Sequence, residues 1–245
     1  MPFIEAAVEQ FRIICAPWGK EKEGKTHFAL SFPEPIYYIK LDAGGLEGVV
    51  DKFLGKKRIY VSAIETGLMH GVTAAETLAQ FDKDYGEALK LASQQSGTVV
   101  VDTYTQIRQL IDSAKLDEVR RRRSKQQKVD EEDVKVFPFD YAECNARTGD
   151  YINQAWALPG VNLVLIHRAA KVYDGKGQEI LGQFKMQGWS EVPAYVGVTV
   201  RMEHNPQDNK FYATIESCRA NYKLRNFKLP DPDYETLAGL LGKPA

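Results

Sequence analysis

The segment GKEKEGKT, residues 19–26, constrains the fold of this chain more than any other stretch. It follows an apolar run, FRIICA at residues 11–16, and leads into HFALSF, an order typical of a strand, a loop and a helix. The loop fits the pattern G-x-x-x-x-G-K-[ST], in which backbone N–H groups and a helix N-terminus surround a phosphate. The segment therefore predicts a strand-loop-helix unit that binds a nucleoside triphosphate.

The pattern also assigns roles to two side chains of the loop. Lys25 is expected to contact the β and γ phosphates, and the Thr26 hydroxyl is expected to hold Mg²⁺. The residues predicted to bind nucleotide are Gly19, Lys20, Glu21, Lys22, Glu23, Gly24, Lys25, Thr26 and His27.

The run VVVDT, residues 99–103, predicts the second half of this site. In P-loop proteins an apolar strand delivers an aspartate that holds Mg²⁺, and Asp102 ends such a strand here. The alternative is an aspartate that merely ends a strand. The distance from the loop favours the metal role, so Thr26 and Asp102 are the predicted metal residues.

Hydrolysis further needs a group that orients or deprotonates the attacking water. Asp42 and Glu47, in the glycine-rich turn DAGGLEG after the second apolar strand, are the candidates, although Asp42 also suits the start of a turn. His167 ends the apolar run at residues 161–167 and is predicted to sense the γ-phosphate, against the alternative of a satisfied polar group. Lys25, Asp42, Glu47, Asp102 and His167 form the predicted catalytic set.

Apolar runs alternate with helical patterns along the first two thirds of the chain. Strands are predicted at residues 35–41, 58–63, 98–102 and 161–167, with helices at 73–91 and 141–157. This alternation predicts βαβ units and a mainly parallel sheet, with ligands at the carboxyl ends of the strands. The last third predicts two hairpins, one around DGKG and one around NPQDN, and a short capped helix at DPDYETLAGLLG.

Composition bounds the class of protein. The 245 residues are 44% hydrophobic and fit one domain over residues 1–245. Lys plus Arg (32) balance Asp plus Glu (33), so any nucleic-acid surface must be local. The three cysteines are scattered, which favours a reducing cytosol and neither a disulfide framework nor a zinc site. No membrane span or signal peptide is expected.

Two basic segments are candidates for DNA contact. Residues 119–135 carry an arginine block followed by an acidic block, with Phe137, Phe139 and Tyr141 nearby to stack on bases. The alternative is a solvated helix end whose arginines pair with residues 131–133. The second segment follows His167 and contains the DGKG turn. The predicted DNA-binding residues are Arg120, Arg121, Arg122, Arg123, Arg168, Lys171, Lys176 and Lys185.

Three other residues have weaker signals. Arg201 and Arg219, in the late strands, are candidate arginine fingers across a subunit boundary, although most strand arginines are surface residues. Trp18 lies beside the loop, where core packing is favoured over stacking on a base.

With these motifs in order, the chain resembles the RecA-like P-loop ATPases encoded by bacteriophages, a group that includes single-strand annealing proteins of phage recombination. The resemblance covers roughly residues 10–230 and rests on GKEKEGKT, DAGGLEG, VVVDT and GVNLVLIH followed by a glycine-bearing hairpin. It implies an α/β fold with a central, mainly parallel sheet flanked by helices, and C-terminal β-hairpins. Members usually carry GPPGSGKT or a similar loop, whereas this loop contains KEKE. Lys20 and Lys22 add positive charge beside the phosphates, and Glu21 and Glu23 add negative charge that opposes it.

The resemblance also implies an activity. Lys25 and Thr26 bind ATP and Mg²⁺, Asp102 is the Walker B acid, and His167 sits at the sensor position. Members assemble into rings or filaments with ATP between subunits and engage single-stranded DNA through loops that here include parts of residues 168–190. The implied partners are single-stranded DNA, further copies of the chain and a single-stranded DNA-binding protein, in the host cytoplasm if the protein is phage-encoded.

Two other functions stay open at this point. One is a nucleotide-dependent switch or assembly factor that hydrolyses little ATP. The other is a small-molecule or nucleotide kinase, in which the arginines near residue 120 form part of a lid.

Overall fold

A sheet of nine strands forms the centre of the part of the chain that the computed structural model describes, residues 10–41, 44, 46–66 and 71–242. The strand order is β3-β2-β4-β5-β1-β7-β8-β9, and β6 pairs with β5 off this path. The strands are β1 (Ile14–Gly19), β2 (Ile36–Lys40), β3 (Ile59–Ala63), β4 (Thr98–Asp102), β5 (Asn162–Tyr173), β6 (Glu179–Met186), β7 (Val198–Asn205), β8 (Lys210–Cys218) and β9 (Lys228–Pro230).

Strands β3 through β7 along this order run parallel, whereas β6, β8 and β9 pair antiparallel with their neighbours. The predicted mainly parallel α/β sheet and both predicted hairpins, β5–β6 and β7–β8, are therefore confirmed.

Helices cover both faces of the sheet. The helices are α1 (Lys25–Leu30), α2 (Ala74–Gln95), α3 (Tyr104–Gln127), α4 (Ala142–Trp156), α5 (Val192–Tyr195) and α6 (Tyr234–Leu240). One core cluster packs α2, α3 and α4 against the sheet, and a second packs α1 and α6 against the opposite face. The predicted C-terminal helix is confirmed as α6, whose N-cap Asp233 accepts a hydrogen bond from the Thr236 backbone N–H.

Alternation along the central strands decides which residues face α1. On β4 and β5, Val99 and Leu163 belong to the α2–α4 cluster, whereas Val100 and Val164 belong to the α1 cluster. Because side chains on a strand point alternately to opposite faces, Asp102 lies on the α1 face. Its register partner on β5 is Ile166.

Two boundaries differ from the sequence-based prediction. Strand β5 does not end at His167 but continues to Tyr173, since its second half is paired by β6. The arginine block lies in the last turns of the 24-residue helix α3, which begins just after β4 and was not among the predicted helices. In the described residues, no helix combines the length and apolar character that crossing a membrane requires.

Candidate functional site

The loop between β1 and α1 has the backbone conformation that its glycines permit. Gly24, just before α1, has φ of 82°, in the left-handed region where a side chain is strained. A Cβ atom on Gly19 would lie 2.6 Å from the Met202 carbonyl oxygen of β7, so β7 closes against the start of the loop. Both glycines of the pattern are therefore required by the backbone itself.

Lys25 lies across this loop. Its Nζ atom donates to the carbonyl oxygens of Gly19, at 3.1 Å, and of Lys20. Burial lowers the pKa of Lys25, while the nearby carboxylates of Glu23 and Asp102 oppose that shift. The ammonium group is thus held at the mouth of the loop, where a phosphate would offer it a charged partner.

Thr26 and Asp102 meet at the carboxyl end of β4. The Thr26 Oγ1 atom donates to Asp102 Oδ2 at 3.3 Å, and the Tyr38 hydroxyl of β2 donates to the same oxygen. Asp102 is buried, with 4% of its surface exposed. A hydroxyl beside a carboxylate is an all-oxygen donor set, which fits Mg²⁺, an ion that binds through one or two carboxylates plus substrate phosphates.

A cavity of about 650 Å³ connects these groups. That volume lies within the range of small-molecule sites. Its lining includes Gly19, Lys20, Glu21, Lys22, Gly24, Lys25 and Thr26 of the loop, together with Gly44, Glu47, Val49, Asp102, Thr103, Arg168 and Ala169.

The structure brings one of the two candidate bases to the cavity. Glu47 lines it with a side chain that is 81% exposed, and the Lys40 Nζ atom lies 4.0 Å from its carboxylate. Asp42 lies outside the described residues.

His167 and Arg168 face opposite sides of the sheet. His167 is 1% exposed on the α3 side, where its Nδ1 atom lies 3.0 Å from the Gln187 carbonyl oxygen and its ring packs edge-on against Tyr104. Burial lowers its pKa to about 4, so the ring is neutral near pH 7. The residue at the cavity is instead Arg168, opposite Gly19 in the β1–β5 register. The sequence placed Arg168 among DNA-binding residues because β5 was expected to end one residue earlier.

Two loop residues have contacts that the pattern did not indicate. The Glu23 carboxylate folds into the loop and accepts the Lys20 backbone N–H. The Lys20 ammonium group lies 4.0 Å from the centre of the Phe184 ring on β6. His27 was predicted to bind nucleotide but is not among the described residues that line the cavity. It is exposed, and its ring lies 5.0 Å from the ring of Phe53.

The four arginines at residues 120–123 differ in their contacts and in their exposure. Arg123 forms two hydrogen bonds with the Asp140 carboxylate, at 2.7 and 2.9 Å, so its partner is not in the acidic block at residues 131–133. Its guanidinium group also lies over the rings of Phe137 and Phe139. Arg120, Arg121 and Arg122 are exposed on α3.

The remaining candidate cations lie on the last strands and the turns beside them. On the β5–β6 hairpin, Lys171 pairs with Glu179 at 2.7 Å, while Lys176 and Lys185 are exposed. Arg219 donates to the Ala194 carbonyl oxygen at 2.7 Å. Arg201 lies 3.9 Å from Glu203 on the same strand.

Trp18 packs in the core, as expected. It is 3% exposed, and its indole N–H donates to Glu216 at 2.7 Å.

The parallel sheet, the loop before α1 and Asp102 at the end of β4 together have the arrangement of a P-loop nucleotide-binding fold. A family model described as an AAA domain matches residues 12–226, and the chain therefore belongs to that family. Among solved structures, the RadB recombinase crystal structure is similar, with a TM-score of 0.50 at 12% identity over 89% of this chain and 86% of that chain. At this identity the likeness shows the fold. No curated protein gives a significant sequence match.

Proposed function

We propose that this protein binds Mg-ATP and hydrolyses it while it acts on single-stranded DNA in phage recombination, by annealing or strand handling. The observation that carries the proposal is the convergence of Lys25, Thr26 and Asp102 on one cavity of about 650 Å³ at the carboxyl ends of β1 and β4. Membership of the AAA domain family and the RecA-like fold support nucleotide binding there.

Four side chains of the cavity, those of Lys25, Thr26, Asp102 and Arg168, have separate roles in this proposal. The loop N–H groups and Lys25 bind the phosphates, and Thr26 and Asp102 hold Mg²⁺, which neutralises phosphate charge when bound. Arg168 approaches from the β5 side and stabilises negative charge on the γ-phosphate. Phosphoryl transfer depends mainly on such positioning and electrostatic stabilisation.

Water activation falls to an acidic residue near Lys40. Glu47 lines the cavity and its exposed carboxylate has room to move toward an attacking water. Asp42 remains the second candidate. His167 has no phosphate-sensing role in this proposal, because its ring contacts the Gln187 carbonyl group on the opposite side of the sheet.

Two surfaces are proposed for single-stranded DNA. The first is the β5–β6 hairpin, where Lys176 and Lys185 are exposed together with Tyr173 (58%) and Leu181 (86%). The second is the stacked pair Phe137 and Phe139, whose exposed rings would stack on bases. Arg120 lies three residues before Arg123 on α3 and would supply phosphate contact there.

Assembly into a ring or filament would complete the site from a neighbouring copy. Arg201 is the better candidate finger, because the ion pair of its guanidinium group within the described residues is a distant one, 3.9 Å from Glu203. Arg219 is engaged by the Ala194 carbonyl group and by the Trp156 ring. A single-stranded DNA-binding protein is the further proposed partner.

A nucleotide-dependent switch with slow hydrolysis is the second candidate function. Two observations favour it: the Glu23 carboxylate occupies part of the phosphate loop, and the candidate base Glu47 is largely exposed and pairs with Lys40. Both features would slow turnover without preventing ATP from binding.

The deciding experiment measures phosphate release from ATP with the full-length protein alone, with an oligothymidylate and with nucleosides. Stimulation by the oligothymidylate is the expected result. Tight ATP binding with the same slow turnover in every mixture would establish the switch instead, and phosphate transfer to a nucleoside would establish a kinase. Lys25→Ala measured in parallel excludes contaminating ATPases.

A further inference from the structure

A second cavity, of about 670 Å³, opens between α2, α3 and α4. None of its lining residues lines the cavity at the phosphate loop. Its floor is aliphatic: Leu78 of α2 and Ile111 of α3 are core residues with 2% and 3% of their surface exposed, and Cys144 of α4 completes the floor. Ala75, Ala79 and Ala114 keep the walls low because their side chains are small.

Each acidic residue that lines this cleft pairs with a cation that also lines it. Lys115 pairs with Glu118 at 3.1 Å and with Glu143 at 2.5 Å. Across the cleft, Arg147 pairs with Asp82 at 2.6 Å. Three acids are thus paired with two cations, which leaves one negative charge among these five residues.

Three more cations line the same cleft from α3. Arg121, Arg122 and Lys125 are exposed, and none of them forms a hydrogen bond or salt bridge with the described residues. Arg121 and Arg122 are consecutive, Lys125 lies one turn after them, and all three continue the helix side of Lys115 and Glu118. Cations therefore outnumber acids among the residues that line the cleft, while the floor of the cleft is apolar.

We propose that this cleft binds an acidic segment of a partner protein, with aliphatic side chains of that segment on the floor and its carboxylates at Arg121, Arg122 and Lys125. An apolar groove with charges of one sign along one side selects a peptide of complementary pattern. A nucleic acid fits less well, because bases stack on aromatic rings and no aromatic residue is among those lining the cleft in the described structure.

The test uses the full-length protein and a fluorescein-labelled peptide of four aspartates followed by two leucines, with binding followed by fluorescence anisotropy. The double variant Arg121→Glu/Arg122→Glu is expected to weaken binding at least about tenfold. Arg120→Glu/Lys128→Glu makes the same change of charge outside the cleft, on α3 and at the residue that follows it, and is the matched control, expected to bind the peptide within about twofold. Replacing the two leucines of the peptide by serines is expected to weaken binding as well.

Several results would overturn the proposal. Failure of the peptide to bind would show that the cleft is not a binding site for acidic peptides. Equal losses in the two double variants would show that the net charge of the helix, and not the cleft, determines binding. Displacement of the peptide by an oligothymidylate would make the cleft part of a DNA surface. Concentration-dependent self-association that disappears in Arg121→Glu/Arg122→Glu would make it a contact between copies of the chain. Ala79→Trp, on the exposed wall, fills the cleft without changing charge and is expected to reduce peptide binding while ATP binding stays unchanged.

Discussion

The Oε2 atom of Glu23 accepts the backbone N–H of Lys20 at 2.5 Å, inside the loop that joins β1 to α1. Loop N–H groups of this kind are the donors that a bound phosphate uses. The carboxylate therefore takes a position in which it competes with an anionic ligand, and it must move when a phosphate binds.

Replacing Glu23 by glutamine is expected to tighten ATP binding about fivefold, since removing one partly exposed like charge is worth about 1 kcal/mol. Isothermal titration with a non-hydrolysable ATP analogue measures the change. Glu21→Gln is the control, because Glu21 is exposed in the same loop and lacks this hydrogen bond in the described structure. Equal gains in both variants would show that net loop charge matters and the Glu23 contact does not.

Lys25→Ala is expected to reduce ATP turnover by about a hundredfold or more while the fold persists, because the charge that faces the phosphates is lost. Phosphate release and thermal unfolding measure the two effects. Lys22→Ala removes an exposed lysine from the same loop and should retain most of the turnover. Ordinary turnover in Lys25→Ala would contradict the assignment of the phosphate loop.

Arg168→Ala separates the nucleotide site from the hairpin. Because Arg168 lines the phosphate cavity, the variant is expected to lose turnover by about a hundredfold and to keep the salt dependence of single-stranded DNA binding. Lys176→Ala/Lys185→Ala on the exposed hairpin should show the opposite pattern. A flattened salt dependence in Arg168→Ala, with turnover intact, would return this arginine to the DNA surface.

Arg123→Ala is expected to lower the melting temperature, because Asp140 loses its partner, whereas Arg120→Ala should leave it unchanged. The Phe137 backbone N–H and Arg123 hold the pKa of Asp140 below its usual value. A carboxylate with a depressed folded pKa stabilises the fold above the unfolded pKa, near 4, and this stabilisation is lost as pH falls through the folded value. Melting curves from pH 7 to 3 should therefore converge for the wild type and Arg123→Ala; a constant difference would refute the ion pair's role.

The pKa of His167 is also lowered, but here the cause is burial, which favours the neutral ring. The pKa of His167 falls from 6.5, the value expected in the unfolded chain, to about 4 in the folded chain. Between these pH values the unfolded chain binds a proton at this residue and the folded chain does not. Stability is therefore full above about pH 6.5 and falls by about 3 kcal/mol as pH drops to 4. His167→Asn keeps a donor for the Gln187 carbonyl group and should lack this part of the acid sensitivity, which urea unfolding at pH 7 and pH 4.5 would measure.

The sequence was sufficient for the parts of the site that a local pattern determines. The loop between β1 and α1, the position of Asp102 at the end of β4 and both hairpins follow from residue types at fixed spacing, and the structure has these elements where they were predicted. The roles of the loop residues and of Asp102 remain predictions. The mainly parallel order of the sheet followed from the alternation of strands and helices.

Arg168 could not be assigned in the same way, because side-chain direction depends on where a strand ends. The apolar run stops at His167, yet β6 pairs with the residues beyond it and extends β5 to Tyr173. The second half of β5 is polar and is held by pairing with β6, so the sequence has no apolar run there that would predict a strand. The spacing of Ile107, Ile111 and Val119 on α3 did offer a helical signal, which the surrounding charges obscured.

The partners of Arg123 and Lys20 were also beyond sequence reasoning. Each lies on a separate element, Asp140 after α3 and Phe184 on β6, and such contacts depend on tertiary packing. Charge balance within a run is a poor guide to which ion pairs form.

The position of Lys20 has one more consequence. Its backbone N–H is held by Glu23 within the loop, while its ammonium group rests on the Phe184 ring of the hairpin. When an anion displaces Glu23, the residue that must adjust is the one that also holds the hairpin ring. A change in the orientation of the hairpin therefore changes the affinity of the loop for an anion, and anion binding in turn changes the preferred orientation of the hairpin.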